Sequence, residues 1–373
     1  MQIYQQNRWP EFTWNNESLL PLLSKVRNLQ GRILGRMESL GFDLRKEAFL
    51  ETLTIDVIKS TEIEGEFLDP AQVRSSVARR LGMDYVGVLT SDRNIEGIVD
   101  LMMDATHKFQ NPLTSDRLFG WHSALFPSGR SSLYKITVGA WRMDTSGPMQ
   151  VVSGPMGKEK IHYQAPDSSA VPSEMDRFLA WFNSEDEMEP VIKAAVGHLW
   201  FVTIHPFDDG NGRIARALTD MLLARSDNSS QRFYSMSAQI RKERKGYYDV
   251  LEHTQRGGLE ITRWLIWFLD CLHDALVDSD SILTKVLYKA QFWRDHAAIL
   301  LNDRQRMMLN KMLDGFEGKL TTSKWAKISK CSQDTALRDI QDLIYKQILV
   351  KEPSGGRSTN YELKQKMPAG NIG

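Results

Sequence analysis

The sequence predicts a mainly α chain with one inserted β-hairpin and a C-terminal tail of three helices and a small wing. Three observations predict it. Apolar residues recur every three or four positions over most of the 373 residues. Between about 128 and 172, Gly, Pro and Ser become frequent and short extended runs replace that period. Beyond residue 303, three short helical patterns precede two extended runs joined at Gly355-Gly356. No internal repeat accompanies these patterns.

Taken in order, an aromatic entry (Trp9, Phe12, Trp14) leads to a helix with Asn16 as its expected cap and Leu19, Leu20, Leu23, Val26 and Leu29 on one face. Gly41-Phe42-Asp43 breaks it, and a second helix from about 46 carries Phe49, Leu50, Leu53, Val57 and Ile58, ending near Glu64-Gly65. Helical patterns follow over 70–82, 92–109 and 114–125. Extended runs cover 134–141, 150–152 and 160–164, the last two joined through Ser153-Gly154-Pro155-Met156-Gly157 as a hairpin. Helices resume at about 173, then over 190–203, 212–225, 245–254 and 259–274, with a helical connector expected over 275–303. Helices at 304–314, 322–329 and 333–346, with extended runs at 348–351 and 358–363, read as a winged helix.

Composition narrows the function. The 47 Lys plus Arg balance the 47 Asp plus Glu, so the chain lacks the global field that a bulk polyanion binder uses. With 42% apolar and 25% charged residues it is neither disordered, collagen-like nor of low complexity. At roughly 100–200 residues per domain the length predicts two or three domains. Cys271 and Cys331 have no CxxC spacing, which excludes a disulfide framework and a cysteine-based zinc site and favours a reducing cytoplasm. No basic segment precedes an apolar run at the start, and no uncharged apolar stretch of about 18 residues occurs, so neither a signal peptide nor a membrane span is expected. Residues 264–272, interrupted by Asp270, read as a buried helix.

The chemistry concentrates in His205-Pro206-Phe207-Asp208-Asp209-Gly210-Asn211-Gly212-Arg213-Ile214-Ala215-Arg216. Glycines on either side of Asn211 let backbone N–H groups converge, and the following helix adds the positive end of its dipole. Arg213 and Arg216, three apart, share a helix face and carry forked donors suited to phosphate oxygens. A di- or triphosphate suits this cradle. Mg²⁺, which accompanies reactive phosphates, takes a carboxylate and waters, and Asp209 is the candidate ligand. His205, near neutral in pKa, suits the removal of a proton from an attacking hydroxyl. Singly, each of these is an ordinary core histidine, helix cap or exposed helix face; their coincidence in one segment is what points to a site.

This segment resembles the signature of the Fic (filamentation induced by cAMP) family, His-Pro-Phe-x-(Asp/Glu)-Gly-Asn-Gly-Arg-x-x-Arg, at every fixed position. The resemblance implies a helical-bundle core with a β-hairpin flap that uses ATP and Mg²⁺ to transfer AMP to a Ser, Thr or Tyr hydroxyl, releasing pyrophosphate. It implies His205 as general base, Asp209 as Mg²⁺ ligand, and Asn211 with the backbone of Gly210 and Gly212 as anion hole. Arg213 would hold the α/β-phosphate region and Arg216 the γ-phosphate. It covers about 50–275, and the Trp-rich start with Gln30-Gly31-Arg32 is similar to a segment preceding the core in certain bacterial members.

Ser60, Glu64 and Gly65 resemble the family's inhibitory motif, (Ser/Thr)-x-x-x-Glu-(Gly/Asn), which implies that Glu64 pairs with Arg216 where the γ-phosphate would sit. The 150–164 hairpin resembles the family's flap, with Val152 and Ile161 facing a target held by strand addition. Tyr248, preferred to Tyr247, stands where the family contacts adenine. The implied organisation is an N-terminal segment with the inhibitory helix (1–90), a core (91–275), a connector (276–303) and a winged helix (304–373). The third tail helix carries Asp334, Arg338, Asp339, Asp342 and Lys346, an acidic-leaning set. Despite Lys324, Lys327, Lys330, Lys351 and Arg357, this favours a protein partner or homodimer over DNA. The expected activity is that of an autoinhibited protein adenylyltransferase. Its alternatives are removal of AMP, transfer of another nucleotide-derived group, or an ATP-sensing winged-helix transcription regulator.

Overall fold

A computed structural model describes all residues except 84–91, 132, 133, 145, 146, 155–159, 186, 317, 353–358 and 365–373. Two compact units divide the chain: the larger takes in Met1–Gly82 and runs on to Ser279, and the smaller begins at Asp280.

The larger unit opens with α1 (Asn16–Glu38), α2 (Phe42–Ile63), α3 (Pro70–Arg80), α4 (Arg93–His107) and α5 (Ser115–Leu125). Two antiparallel hairpins follow, β1 (Arg130–Ser131) with β2 (Tyr134–Lys135) and β3 (Gln150–Ser153) with β4 (Lys160–Gln164). Then come α6 (Val171–Phe182), α7 (Pro190–Ile204), α8 (Asn211–Asp227), α9 (Met236–Lys242) and α10 (Arg244–Gln255); α11 (Thr262–Asp295) starts in this unit, which ends at Ser279. The termini follow local chemistry. Asp69, Asp92 and Thr114 cap α3, α4 and α5 by accepting backbone N–H groups, and Pro70 and Pro190 occupy first-turn positions where no N–H is missed. The cap of α1 is Asn15, accepting from Ser18 N at 3.1 Å, rather than Asn16, whose side chain accepts from Trp14 Nε1 at 2.8 Å.

Helix α7 is the centre of this unit. Every residue from Val191 to Ile204 is buried, the mark of a helix surrounded by others, and it packs on α6 and α8. Phe201, fully buried, illustrates the scale: truncation to Ala would cost about 3–5 kcal/mol. This packing fixes where α7 ends and α8 begins, and the loop between them carries the motif.

Two expectations change and one helix is additional. The helix read to 274 and the helical connector read from 275 form one helix, α11, as far as Asp295, with Asp270, Asp274 and Asp278 every four residues on its exposed face while Cys271, Leu272, Ala275, Leu276 and Ser279 are buried. Of the extended run at 134–141 only Tyr134–Lys135 forms a strand, since β1 offers a two-residue partner. The short helix α9, started by Ser235, had no sequence signal long enough to mark it.

The smaller unit contains α12 (Asp303–Leu313), α13 (Thr322–Ile328), α14 (Gln333–Tyr345) and an antiparallel pair, β5 (Leu349–Lys351) with β6 (Tyr361–Leu363). Met308, Leu309, Trp325, Ile340 and Leu349 form its core. The acidic face expected of α14 is partly internal: Asp339 is buried and accepts from Arg304 Nε at 2.8 Å and Asn302 Nδ2 at 2.9 Å, and Asp342 is paired with Lys346. Gly355, Gly356 and Arg357 lie outside the described residues, as do Pro155, Met156 and Gly157 of the first-read hairpin turn.

Candidate functional site

Helix α7 closes on His205, whose φ of 54° is left-handed, and Pro206 prevents its continuation. A non-glycine residue there costs of order 1–3 kcal/mol unless its surroundings hold it. Arg142 does so from outside the motif: its Nε donates to His205 O at 2.8 Å and its backbone N to Pro206 O at 2.9 Å. The His205 ring places Nδ1 3.2 Å from Val202 O. A carbonyl only accepts, so Nδ1 bears the hydrogen and Nε2 keeps its lone pair. Burial pushes the imidazole down to about 4, which leaves it neutral at ordinary pH.

The loop is braced from within and from behind. Asn211 Oδ1 accepts from Phe207 N at 3.0 Å and its Nδ2 donates to Phe207 O at 2.8 Å, so this side chain is spent on loop geometry. His122 stacks on Phe207 at 4.2 Å, accepts from Gly139 N and donates through Nε2 to Asp209 O at 3.1 Å. Asp208 accepts from Thr137 N at 2.8 Å. Gly210 has φ 81°, and a Cβ there would meet Phe126 at 2.9 Å, so both conformation and space require glycine. The first bond within α8 runs from Ile214 N to Gly210 O, leaving the N–H groups of Asn211, Gly212 and Arg213 without intrahelical partners.

Asp209 accepts from Gly210 N at 2.6 Å and from the Ser131 hydroxyl. Each carboxylate oxygen retains lone-pair capacity. Among the described residues no three His, Cys, Asp or Glu side chains cluster to form a protein cage. A lone carboxylate fits a cation that takes its other ligands from phosphate and water, as Mg²⁺ does.

The two arginines part company. Arg216, 2% exposed, grips the last turn of α2: Nε donates to Ser60 Oγ at 2.8 Å, and Nη2 to Ser60 O at 2.8 Å and Glu64 Oε1 at 2.7 Å. Its Nη1 is buried without a hydrogen-bond partner among the described residues. Gly65, with φ 88°, ends that turn. Glu64 lies so close to α8 that a Cβ on Gly212 would fall 2.3 Å from its Oε1. Arg213 instead lies over the Phe126 ring at 5.0 Å with Nη1 3.3 Å from Glu66 Oε2, and it lines a separate cavity of about 280 Å³.

A larger cavity of about 780 Å³ gathers His205, Asp208, Asp209, Asn211, Gly212 and Arg216 with Glu64, Tyr248 and the β3–β4 hairpin. Tyr247 and Tyr248 both line this space; Arg244 lies 5.2 Å over the Tyr248 ring, whereas the Tyr247 hydroxyl is held by His198 Nε2 at 2.8 Å in the core. Val152 and Ile161 are paired in register and stand 48% and 45% exposed. Arg256 donates to the carbonyls of Ile161 and His162, fastening β4 to α10. Sequence reading missed Arg142, His122, Ser131 and Arg244, which lie far from the motif and follow no spacing that marks them.

Residues 112–223 match the family described as Fic/DOC, and residues 2–83 match one described as a domain of unknown function, DUF4172. Relatives named "Protein adenylyltransferase Fic" include one from Culex quinquefasciatus, 36% identical over 104 residues (27% of this chain, 19% of that protein). Another, from Drosophila mojavensis, is 26% identical over 237 residues (62% and 41%). The chain spans less than half the length of these curated relatives. In fold it is similar to a Fic family protein from Desulfovibrio desulfuricans G20, with TM-score 0.55 at 21% identity over 96% of this chain and 98% of that one. A Fic domain containing signaling protein from Bacteroides thetaiotaomicron VPI-5482 gives TM-score 0.50 at 18% identity over 71% and 97%.

Proposed function

From the premise that this chain is a Fic family protein, we propose that it is an autoinhibited protein adenylyltransferase, transferring AMP from ATP to a Ser, Thr or Tyr hydroxyl of a target or of itself. The observation that carries the reading is the Glu64–Arg216 pair at 2.7 Å, set on the cavity that also holds the His205 ring. In the proposed step the target oxygen attacks the α-phosphorus, the bond from that phosphorus to the bridging oxygen breaks, and pyrophosphate leaves. His205 Nε2 takes the hydroxyl proton. The protein's work is positioning, charge neutralisation and this proton transfer.

The N–H groups of Asn211, Gly212 and Arg213 at the start of α8 would receive phosphate oxygens. Tyr248 offers a face to the adenine. Asp209 would hold Mg²⁺, which would neutralise charge on the α- and β-phosphates. Arg216 would grip the γ-phosphate once Glu64 vacates it, and Arg213 the α/β region once it turns from Glu66. The β3–β4 hairpin would align the target backbone by strand pairing, with Val152 and Ile161 against its side chain. Residues 1–90 then form the inhibitory segment and 91–275 the catalytic core. Residues 276–303 connect to a winged helix at 304–373 that meets a protein partner or a second copy of the chain. Two free thiols, Cys271 and Cys331, suit a cytoplasmic setting.

Labelling of the protein with α-labelled ATP tests this. Glu64→Gly is expected to raise labelling by about a hundredfold, and adding His205→Ala to remove it, since a positioned base contributes about 10²–10⁴ in rate. Unchanged labelling in the single variant refutes the inhibitory role; persistent labelling in the double variant refutes the base.

A further inference from the structure

A buried charge cluster joins the helix that carries Glu64 to the helix that carries Arg216, and the chemistry above makes no use of it. On α2, Asp56, Ser60 and Glu64 follow at intervals of four and so lie above one another on one face. On α8, Arg216 and Asp220 do the same. Glu64 and Ser60 meet Arg216. One turn back along α2, about 6 Å by helix geometry, Asp56 meets Asp220 across Arg232, from the segment joining α8 to α9. Arg232 Nη2 lies 3.2 Å from Asp56 Oδ2 and 2.6 Å from Asp220 Oδ1. All three side chains are at most 2% exposed.

The arrangement is unbalanced. Two carboxylates, one from each helix, share one guanidinium. Asp56 has a second donor in the Ser235 hydroxyl at 2.5 Å, whereas neither oxygen of Asp220 accepts a well-aligned hydrogen bond among the described residues. Burial drives both carboxyls above their ordinary range, against the opposing pull of Arg232. Without the cation, two buried acids would face each other across the contact that keeps Glu64 on Arg216. Packing alone does not call for such a cluster, since apolar side chains of similar volume hold buried contacts as well or better.

We infer that Arg232 is the pin that seats α2 on α8, a positioning residue through which Glu64 is held over the nucleotide cavity. Weakening it releases the inhibitory turn without altering Glu64, Ser60 or Arg216. This rests on the inhibitory reading of Glu64, so the test separates the two.

Arg232→Met in the full chain is measured in two ways. Hydrogen exchange is expected to rise across residues 56–64 while the α7 segment 194–201 keeps its protection. Labelling with α-labelled ATP is expected to rise about tenfold or more, with no further rise when Arg232→Met is added to Glu64→Gly. Unchanged exchange over 56–64 overturns the pin, and so does exchange rising equally in α7, which is general loosening. Local exchange that rises while both Arg232→Met and Glu64→Gly stay unlabelled keeps the pin and overturns the inhibitory reading. An additive rise in the double variant overturns action through Glu64. Should Arg232→Met fail to fold, Arg232→Lys keeps the charge but shortens the reach by which one nitrogen, Nη2, bridges both carboxylates, and it is expected to raise exchange and labelling about threefold; wild-type values there overturn the pin.

Discussion

Two ion pairs in this chain are built in opposite senses. In the larger unit the cation is the buried partner: the Arg216 side chain is 2% exposed and that of Glu64 29%. In the smaller unit the anion is buried: the Asp339 side chain is 6% exposed and that of Arg304 41%. The accessible member of a pair is the one a solute can replace. Glu64 sits at a cavity, and its departure leaves a buried guanidinium that another anion can satisfy. Losing Arg304 leaves a buried carboxylate with nothing comparable to take its place. On the proposed reading one pair is an exchangeable contact and the other a fold contact.

The largest expected effect falls on the exchangeable pair. Arg216→Met in the Glu64→Gly background should keep the fold, since an apolar chain of similar length fills the space once the carboxylate is gone. Labelling should fall about 10²–10³-fold, the scale of removing one partner of a desolvated charge contact at 2–5 kcal/mol. Retained labelling would mean that Arg216 is a structural residue like Arg304, and the contrast would vanish.

A smaller effect is expected in the other unit. Asp339→Ala removes the acceptor shared by Arg304 Nε and Asn302 Nδ2, one of the links from α14 to the start of α12, while Gln305 Nε2 still reaches Asp342 Oδ2 at 2.7 Å. It should destabilise that unit by about 1–3 kcal/mol in denaturant melts and leave labelling by the Glu64→Gly variant at its parent value. Altered labelling with an unchanged melt would reverse the assignment of the two pairs.

The same contrast explains what the sequence disclosed. The 205–216 segment stood out because several residue types suited to phosphate chemistry fall in a short loop and one helix turn, and the structure brings most of them to one cavity. Ser60 and Glu64 were legible through the same family resemblance. The supports were not: Arg142, His122 and Ser131 reach the loop from more than sixty residues away, and any surface arginine or serine looks the same in a sequence. Charge signs were legible, but their direction was not. Asp339 counted toward an acidic face although it points inward, and the helix read to 274 runs on past that point, with its spaced acids on its wet side. Direction is decided by tertiary packing, which also made Arg213 and Arg216 diverge from a shared helix face.

The smallest expected effect is an insensitivity to acid, and it sharpens the distinction between a group tuned by burial and one tuned by a partner. Asp342, on the tail, is held below the usual carboxylate range chiefly by its hydrogen bond from Lys346. Among the described residues no carboxylate is hydrogen-bonded to the His205 ring; burial lowers it to about 4, against weaker raising by Val202 O, Asp209 and Glu64. The sign follows: a depressed imidazole is neutral and able to accept a proton at every pH well above 4, so rate falls only as pH falls through that value, whereas its cost to stability accrues between the unfolded value of about 6.5 and 4, where only the unfolded chain takes up the proton. Removing Glu64 removes one of the groups that raise it, so the acid limb in Glu64→Gly cannot move upward on that account. At pH 5.5 an ordinary imidazole of pKa about 6.5 would be about one-tenth neutral, whereas His205 would be almost wholly so. Labelling by Glu64→Gly should therefore change by less than about twofold between pH 7.5 and 5.5. A tenfold loss over that interval would show that His205 titrates as a solvated group and that its burial does not set its protonation.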